Sequence, residues 1–198
     1  TGRILMDGYQ TNTGNGIDLE GGSSNLGTIT SAAPANATPA ISIVGKCDNS
    51  GTADAGQRGL FLTLGVTISA TGGGDVSLTG DNTALHSTNP GSIYIMGLDV
   101  LASSGNVTID GGADGVVTST FGNTSNIGAT SAASATGSVS IIGDRITSAG
   151  TTNIKTTGAV VAEPKSATFT SFSLSGTSIN ANASSIRLAK ASDTSSAM

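Results

Sequence analysis

The most regular feature of the chain is a five-residue motif in which two apolar residues alternate with other residues and a glycine follows. Alternation with a period of two places both apolar side chains on one face of a strand. The glycine permits the sharp change of direction that ends the strand. The motif therefore predicts a short strand that ends at a corner. It occurs six times, at Ile17–Gly21, Ile41–Gly45, Val76–Gly80, Val107–Gly111, Val139–Gly143 and Phe172–Gly176.

The spacing of the motif indicates repeated parallel strands. Successive copies begin 24, 35, 31, 32 and 33 residues apart, so the last four keep close to a ~32-residue period. Such an interval is long enough for the chain to return to the next parallel strand, which takes about a dozen residues or more. We predict an all-β chain that forms a right-handed parallel β-helix, a solenoid of ~32-residue repeats. Each repeat would hold either one wide coil or two coils of about half that length.

Further strands and loops follow from the same pattern. The hydroxyl residues at the second position of five motifs (42, 77, 108, 140 and 173) would form a ladder on the outer surface. The small-residue stretches 31–40 and 128–137 are predicted to be loops at corners. We predict one solenoid segment over residues 1–188 and a frayed tail over 189–198. Additional short strands are predicted at Leu60–Leu62, Val66–Ile68, Ile93–Ile95, Ile146, Ile154, Val160–Val161 and Ile186–Leu188.

Composition narrows the class of protein. Charged residues make up 11 % and aromatic residues 3 %, and the mean hydropathy is +0.13. Disordered chains usually combine low hydropathy with high net charge, so we expect a folded chain with a thin aliphatic core. The net charge of −5 and the scattered basic residues argue against a nucleic-acid partner. The single cysteine, Cys47, excludes an internal disulfide and a cysteine metal site, and we expect it in or near a turn.

Two segments carry a family resemblance. Residues 65–80 (GVTISATGGGDVSLTG) and 103–111 (SSGNVTIDG) are similar to the repeats of filamentous-haemagglutinin-type exoproteins. Those are large bacterial adhesins, secreted or held at the cell surface, with a long right-handed β-helix. The resemblance extends over most of residues 57–188 and implies a secreted or cell-surface location; it transfers no functional residue. With no signal-like start, we expect the chain to begin after processing or to belong to a longer protein.

Few residues point to chemistry. The only histidine, His86, lies in a predicted loop without a catalytic motif around it. Asp81 and Asp144 follow the motif glycine two repeats apart, too far for direct metal sharing, and turn chemistry is their expected role. Asp75 and Asp110 lie at other predicted corners. The segment Asp110–Gly115 (DGGADG) faintly resembles a calcium turn, which is the one cofactor hypothesis that stays open.

These observations lead to no catalytic, cofactor-binding or metal-site residue. We expect a non-catalytic structural or adhesive segment of a large extracellular bacterial protein, acting as a rigid stalk or a binding surface. A self-assembling extracellular filament or surface-layer subunit is the main alternative, and a polysaccharide-active β-helix enzyme is a weaker one. The expected partners are flanking repeats of the same chain, identical subunits stacked head to tail, or surface glycans. No membrane-spanning segment is predicted.

Overall fold

The computed structural model describes residues 2–11, 14–21, 27–48, 57–82, 91–118, 123–129, 137–180 and 182–190. In these ranges the regular structure consists of β-strands, and no helix occurs. The strands belong to three sheets, and every pairing between named strands is parallel. The predicted all-β, parallel character is therefore confirmed.

Within each sheet the strands lie side by side in the order of the chain. The first sheet contains β1 (Ile4–Gln10), β4 (Ile41–Cys47), β7 (Val76–Asn82), β10 (Val107–Asp110), β13 (Val139–Ile142), β16 (Ala159–Glu163) and β19 (Ser185–Arg187). The second contains β2 (Ile17–Glu20), β5 (Leu60–Thr63), β8 (Ile93–Met96), β11 (Val116–Thr118), β14 (Arg145–Ser148) and β17 (Ser171–Ser173). The third contains β3 (Thr28–Ser31), β6 (Thr67–Ala70), β9 (Asp99–Ala102), β12 (Thr124–Gly128), β15 (Thr151–Lys155) and β18 (Thr177–Ile179).

Each strand pairs with the strand three places later in the chain, so the chain visits the three sheets in a fixed rotation. Val76 pairs directly with Val107, and two strands, β8 and β9, lie between them in sequence. One interval between these motifs therefore holds one full passage through the three sheets, rather than two shorter ones. Paired residues along the first sheet are separated by 37, 35, 31, 32, 21 and 26 residues, at Ile4, Ile41, Val76, Val107, Val139, Val160 and Ile186.

The six motif copies do not all occupy one sheet. The four copies that begin at Ile41, Val76, Val107 and Val139 lie side by side in the first sheet, in register. The copies that begin at Ile17 and Phe172 lie in the second sheet, where they form its two outermost strands. The predicted outer line of hydroxyls accordingly runs through Ser42, Ser77, Thr108 and Ser140. Its predicted continuation at Ser173 is wrong, because that residue pairs with Thr147 of the second sheet.

The core consists of aliphatic ladders, one or two from each sheet. Because side chains alternate across a parallel strand, residues in register stack on one another inside the molecule. Each buried aliphatic side chain stabilises the fold by roughly 1.5–3 kcal/mol. Fully buried members include Ile43, Leu78 and Ile109 of the first sheet, Leu60 and Ile93 of the second, and Ile68, Val100 and Ile127 of the third. The predicted thin aliphatic core is confirmed.

Glycines allow neighbouring turns of the backbone to approach closely before the first sheet begins. A Cβ added to Gly105 would overlap the carbonyl oxygen of Gly74, and one on Gly137 would overlap the carbonyl oxygen of Gly105. The same relation holds between Gly158 and Gly137. These glycines are thus required by backbone packing between successive strands.

The two predicted loops have different outcomes. Residues 32–40 lie between β3 and β4, and Ala33 and Ala40 are buried in the core, so both ends of this stretch are anchored. Of the stretch 128–137, residues 130–136 lie outside the described residues. Most of the predicted tail, residues 191–198, also lies outside them.

Candidate functional site

An aromatic pair lies on the outer face of the second sheet. Phe61 and Tyr94 are direct partners on β5 and β8, and their neighbours Leu60 and Leu62 point into the core. Their ring centroids are 5.3 Å apart and their planes differ by 13°, so the rings stack. Parallel pairing produces this geometry, because it places equivalent side chains above one another on one face. We call Phe61, Tyr94 and the neighbouring Arg58 the aromatic face.

Arg58 contributes a fixed positive charge to the aromatic face. Its guanidinium carbon lies 4.7 Å from the centroid of the Tyr94 ring. The side chain donates a hydrogen bond of 3.1 Å to the carbonyl oxygen of Gly91, and its backbone N–H donates to Oδ1 of Asn15 at 2.9 Å. Only 3 % of the residue is exposed, and this burial lowers the pKa of Arg58. Burial strengthens the attraction between the cation and the ring.

Stacked rings with a held cation form a surface that can bind a flat or apolar group. Aromatic side chains offer a large contact area with little conformational freedom to lose, and the tyrosine hydroxyl adds a polar contact. Here the Tyr94 hydroxyl lies 3.9 Å from the sulfur of Met96 on the same strand. The aromatic face is the most distinctive surface chemistry among the described residues. No signal in the sequence marks it, because three isolated residues in different segments leave no local motif.

The corners before the first sheet are held by polar side chains. Oδ1 of Asp75 accepts hydrogen bonds from the backbone N–H and side-chain amide of Asn106, at 2.7 and 3.2 Å. Oδ1 of Asn106 in turn accepts from the backbone N–H of Ser138 at 2.9 Å. Each side chain thus satisfies a donor of the next coil. Asp75 acts as a structural acceptor, as expected for Asp and Asn at turns.

A second polar row runs along the third sheet. Asp99, Asn126 and Asn153 are in register on β9, β12 and β15. The side-chain amide of Asn126 donates to Oδ1 of Asp99 at 2.6 Å, and that of Asn153 donates to Oδ1 of Asn126 at 3.1 Å. We call these three residues the amide row. Its carboxylate is paired with an amide rather than with a second carboxylate, which is unlike the paired acids of glycoside hydrolases.

The predicted aspartates lie apart and have structural contacts. Asp81 pairs with Lys46 at 3.5 Å on the exposed outer surface. Asp144 is buried, and its Oδ1 accepts from the backbone N–H of Ser166 at 2.7 Å. The strand β10 lies between the strands β7 and β13 that precede the two aspartates in their coils, as the predicted two-repeat separation requires. The turn interpretation is confirmed for Asp144.

The candidate calcium turn has a different arrangement of charge. Oδ1 of Asp110 accepts from the backbone N–H of Gly112 at 3.0 Å, which closes a turn. Its Oδ2 forms an ion pair of 2.6 Å with Nζ of Lys165. An ammonium group at this oxygen competes with a cation for the same charge. Among the described residues, no three His, Cys, Asp or Glu side chains are grouped closely enough to hold a metal ion.

The remaining candidates have plain outcomes. His86 lies outside the described residues. Cys47 is fully buried at the end of β4, where its thiol donates to the carbonyl oxygen of Gly14 at 3.3 Å. No helix that could cross a membrane is found in the described ranges.

Comparisons with known proteins add no name to these observations. We find no family model, curated protein or solved structure that matches the chain significantly. Function is therefore inferred from the geometry of the sheets and from the chemistry of their surfaces.

Proposed function

We propose that the chain is a rod-like segment of a large extracellular bacterial protein, built as a right-handed parallel β-helix of repeats close to 32 residues, and that it acts without catalysis as a stalk or binding surface. The observation that carries this proposal is the fixed rotation of the chain through three parallel sheets. Right-handed crossovers are the strong rule for parallel strands, which supports the handedness.

A stalk needs length and stiffness, and both follow from stacked coils. Strands in one sheet lie ~4.8 Å apart, so the seven strands of the first sheet extend over roughly 30 Å. Each further coil would add the same increment. Inner strands form hydrogen bonds with neighbours on both sides, and the core ladders run without a polar gap through the first sheet from Ile41 to Val160. Bending the rod would separate these ladders.

The extracellular location rests on the resemblance of residues 65–80 and 103–111 to the repeats of filamentous-haemagglutinin-type exoproteins. The outer ladder of Ser42, Ser77, Thr108 and Ser140 agrees with that style of surface, because hydroxyls are well hydrated and carry no charge. An enzyme acting on polysaccharides is the less favoured alternative. The carboxylates of Asp75, Asp99 and Asp110 are each held by hydrogen bonds or an ion pair within the fold.

The aromatic face is the part of this rod that we propose for ligand binding. Sugar rings present flat apolar faces with hydroxyls at their edges, and stacked aromatic side chains with a nearby donor match that shape. Surface glycans are therefore the proposed ligand class.

Antibody labelling tests the proposed location and role together. An antibody raised against the purified chain should label intact cells of the organism that produces it, while a cytoplasmic marker stays unlabelled. Labelling that requires permeabilised cells would contradict the proposal. Incubation of the purified chain with a glycan panel tests the enzymatic alternative: release of shortened products would replace the stalk with a hydrolase or lyase.

A further inference from the structure

The two ends of the sheets are unfinished in the same way. At one end, Ile4, Ile17 and Ile29 contact the core but are only partly buried. At the other end, Phe172 is 37 % exposed and Ile186 is 54 % exposed, and Ile179 is partly buried. Strands at both ends also leave backbone groups of one edge without a neighbouring strand, which invites pairing with another chain.

We propose that copies of this chain associate head to tail, with β17, β18 and β19 of one copy pairing with β2, β3 and β1 of the next. This inference rests on the β-helical path of the proposed function. It specifies the partner that the open ends accept: a second copy of this chain.

Register supports the match in all three sheets at once. Following the pairings along the first sheet, Ile4 is equivalent to Ile186. In the third sheet Ile29 is equivalent to Ile179. A second copy stacked in register would therefore place an apolar residue on an apolar residue in each of these sheets. The partly exposed residues at both ends would become inner members of continuous ladders.

The second sheet gives the most specific support, because its two outermost strands carry the same motif. Ile17 is equivalent to Phe172 through the successive pairings of β2, β5, β8, β11, β14 and β17. Extending that register places Phe172 beside Ile17, Leu174 beside Leu19, and Gly176 beside Gly21. The motif copies that do not belong to the first sheet thus align with each other across the proposed junction.

The charges of the two ends are complementary. The described part of residues 2–40 contains three exposed carboxylates, Asp7, Asp18 and Glu20, and one base, Arg3. Residues 164–190 contain three bases and no acid: Lys165, Arg187 and Lys190. In the proposed register Arg187 lies beside Leu5 and diagonal to Asp7, within reach of a long side chain. Charge thus favours unlike ends and disfavours the pairing of like ends.

Ser175 gives a register-specific test, because it is exposed and would lie directly beside Glu20 of the next copy. The purified chain should show a mass that rises with concentration in sedimentation velocity. Ser175→Lys should tighten this association and Ser175→Glu should weaken it, by about two- to five-fold in Kd, the range for cross-strand charge pairs. The double variant Ser175→Glu with Glu20→Lys should recover the association of the original chain.

Two further variants separate this junction from general charge effects. Ile186→Asp should abolish association, because it places a charge in the continuous ladder. Ser77→Glu, in the middle of the outer hydroxyl ladder, should leave association unchanged. Circular dichroism of each variant confirms that it remains folded.

A folded, elongated monomer at every concentration would overturn the head-to-tail inference and leave the stalk intact. Association that ignores both Ser175 substitutions would equally overturn it. A compact rather than elongated monomer in X-ray scattering would instead contradict the proposed function itself.

Discussion

Replacing equivalent isoleucines in the middle and at the end of one sheet tests whether stability comes from stacking between coils. Ile109 is fully buried in β10, while Ile186 in the last strand is 54 % exposed. An isoleucine-to-alanine change removes three carbons, worth about 0.8 kcal/mol each on full burial, and leaves a cavity. Ile109→Ala should therefore lower the free energy of unfolding by about 2–5 kcal/mol. Less than half of the Ile186 transfer term is present, so Ile186→Ala should cost about 1 kcal/mol.

The assay is urea unfolding followed by circular dichroism, at a concentration where the chain is monomeric. Chains built of repeated units can unfold in more than one step, so the slope with urea is compared between variants before midpoints are converted. Amide exchange gives a second measurement, since Ile186→Ala should raise exchange near β19 alone. Equal losses for the two variants would refute the argument, because burial between coils would then not set the stability.

Four further predictions address single features. Gly105→Ala should destabilise the fold strongly, because its Cβ would overlap the backbone of Gly74, whereas Gly27→Ala, whose nearest neighbour is 3.9 Å away, should have little effect in the same urea assay. Asn126→Ala should cost about 1–3 kcal/mol in urea unfolding, because it removes the centre of the amide row. Cys47 should react with a thiol reagent only after unfolding, since its side chain is fully buried. Tyr94→Ala should reduce retention on a glycan panel without a change in circular dichroism.

The sequence predicts the first sheet well and the third sheet poorly, for a physical reason. Strands of the first sheet present two inward apolar residues and a terminal glycine, so they stand out, as at Ile41–Gly45. Strands β9 and β12 of the third sheet begin with polar residues, Asp99 and Thr124, and pair partly through the amide row. A polar outward residue carries no local sign of its partner 27 residues away, so neither strand was predicted.

The sheet assignment of a motif is also invisible in the sequence. An apolar-x-apolar-x-Gly segment predicts a strand and a corner, but every sheet of the molecule can use such a strand. Ile17 and Phe172 therefore fitted the repeat by spacing and appearance while lying in another sheet. The aromatic face was missed for a related reason: Phe61 and Tyr94 are 33 residues apart and meet only through the register of β5 and β8.

The variable length of the intervals shows which part of the molecule is free to change. The passage from Ile4 to Ile41 takes 37 residues and that from Val139 to Val160 takes 21, yet both contain the same three-strand rotation in register. Insertions are thus accommodated between strands, because the ladders require only that inward residues stack. Residues 32–40 illustrate this, since their ends are anchored by Ala33 and Ala40 while the exposed Pro34–Asn36 lie outside the core. A rod of this kind can acquire new binding loops at its corners without loss of stiffness, which is the property that a stalk with a recognition surface requires.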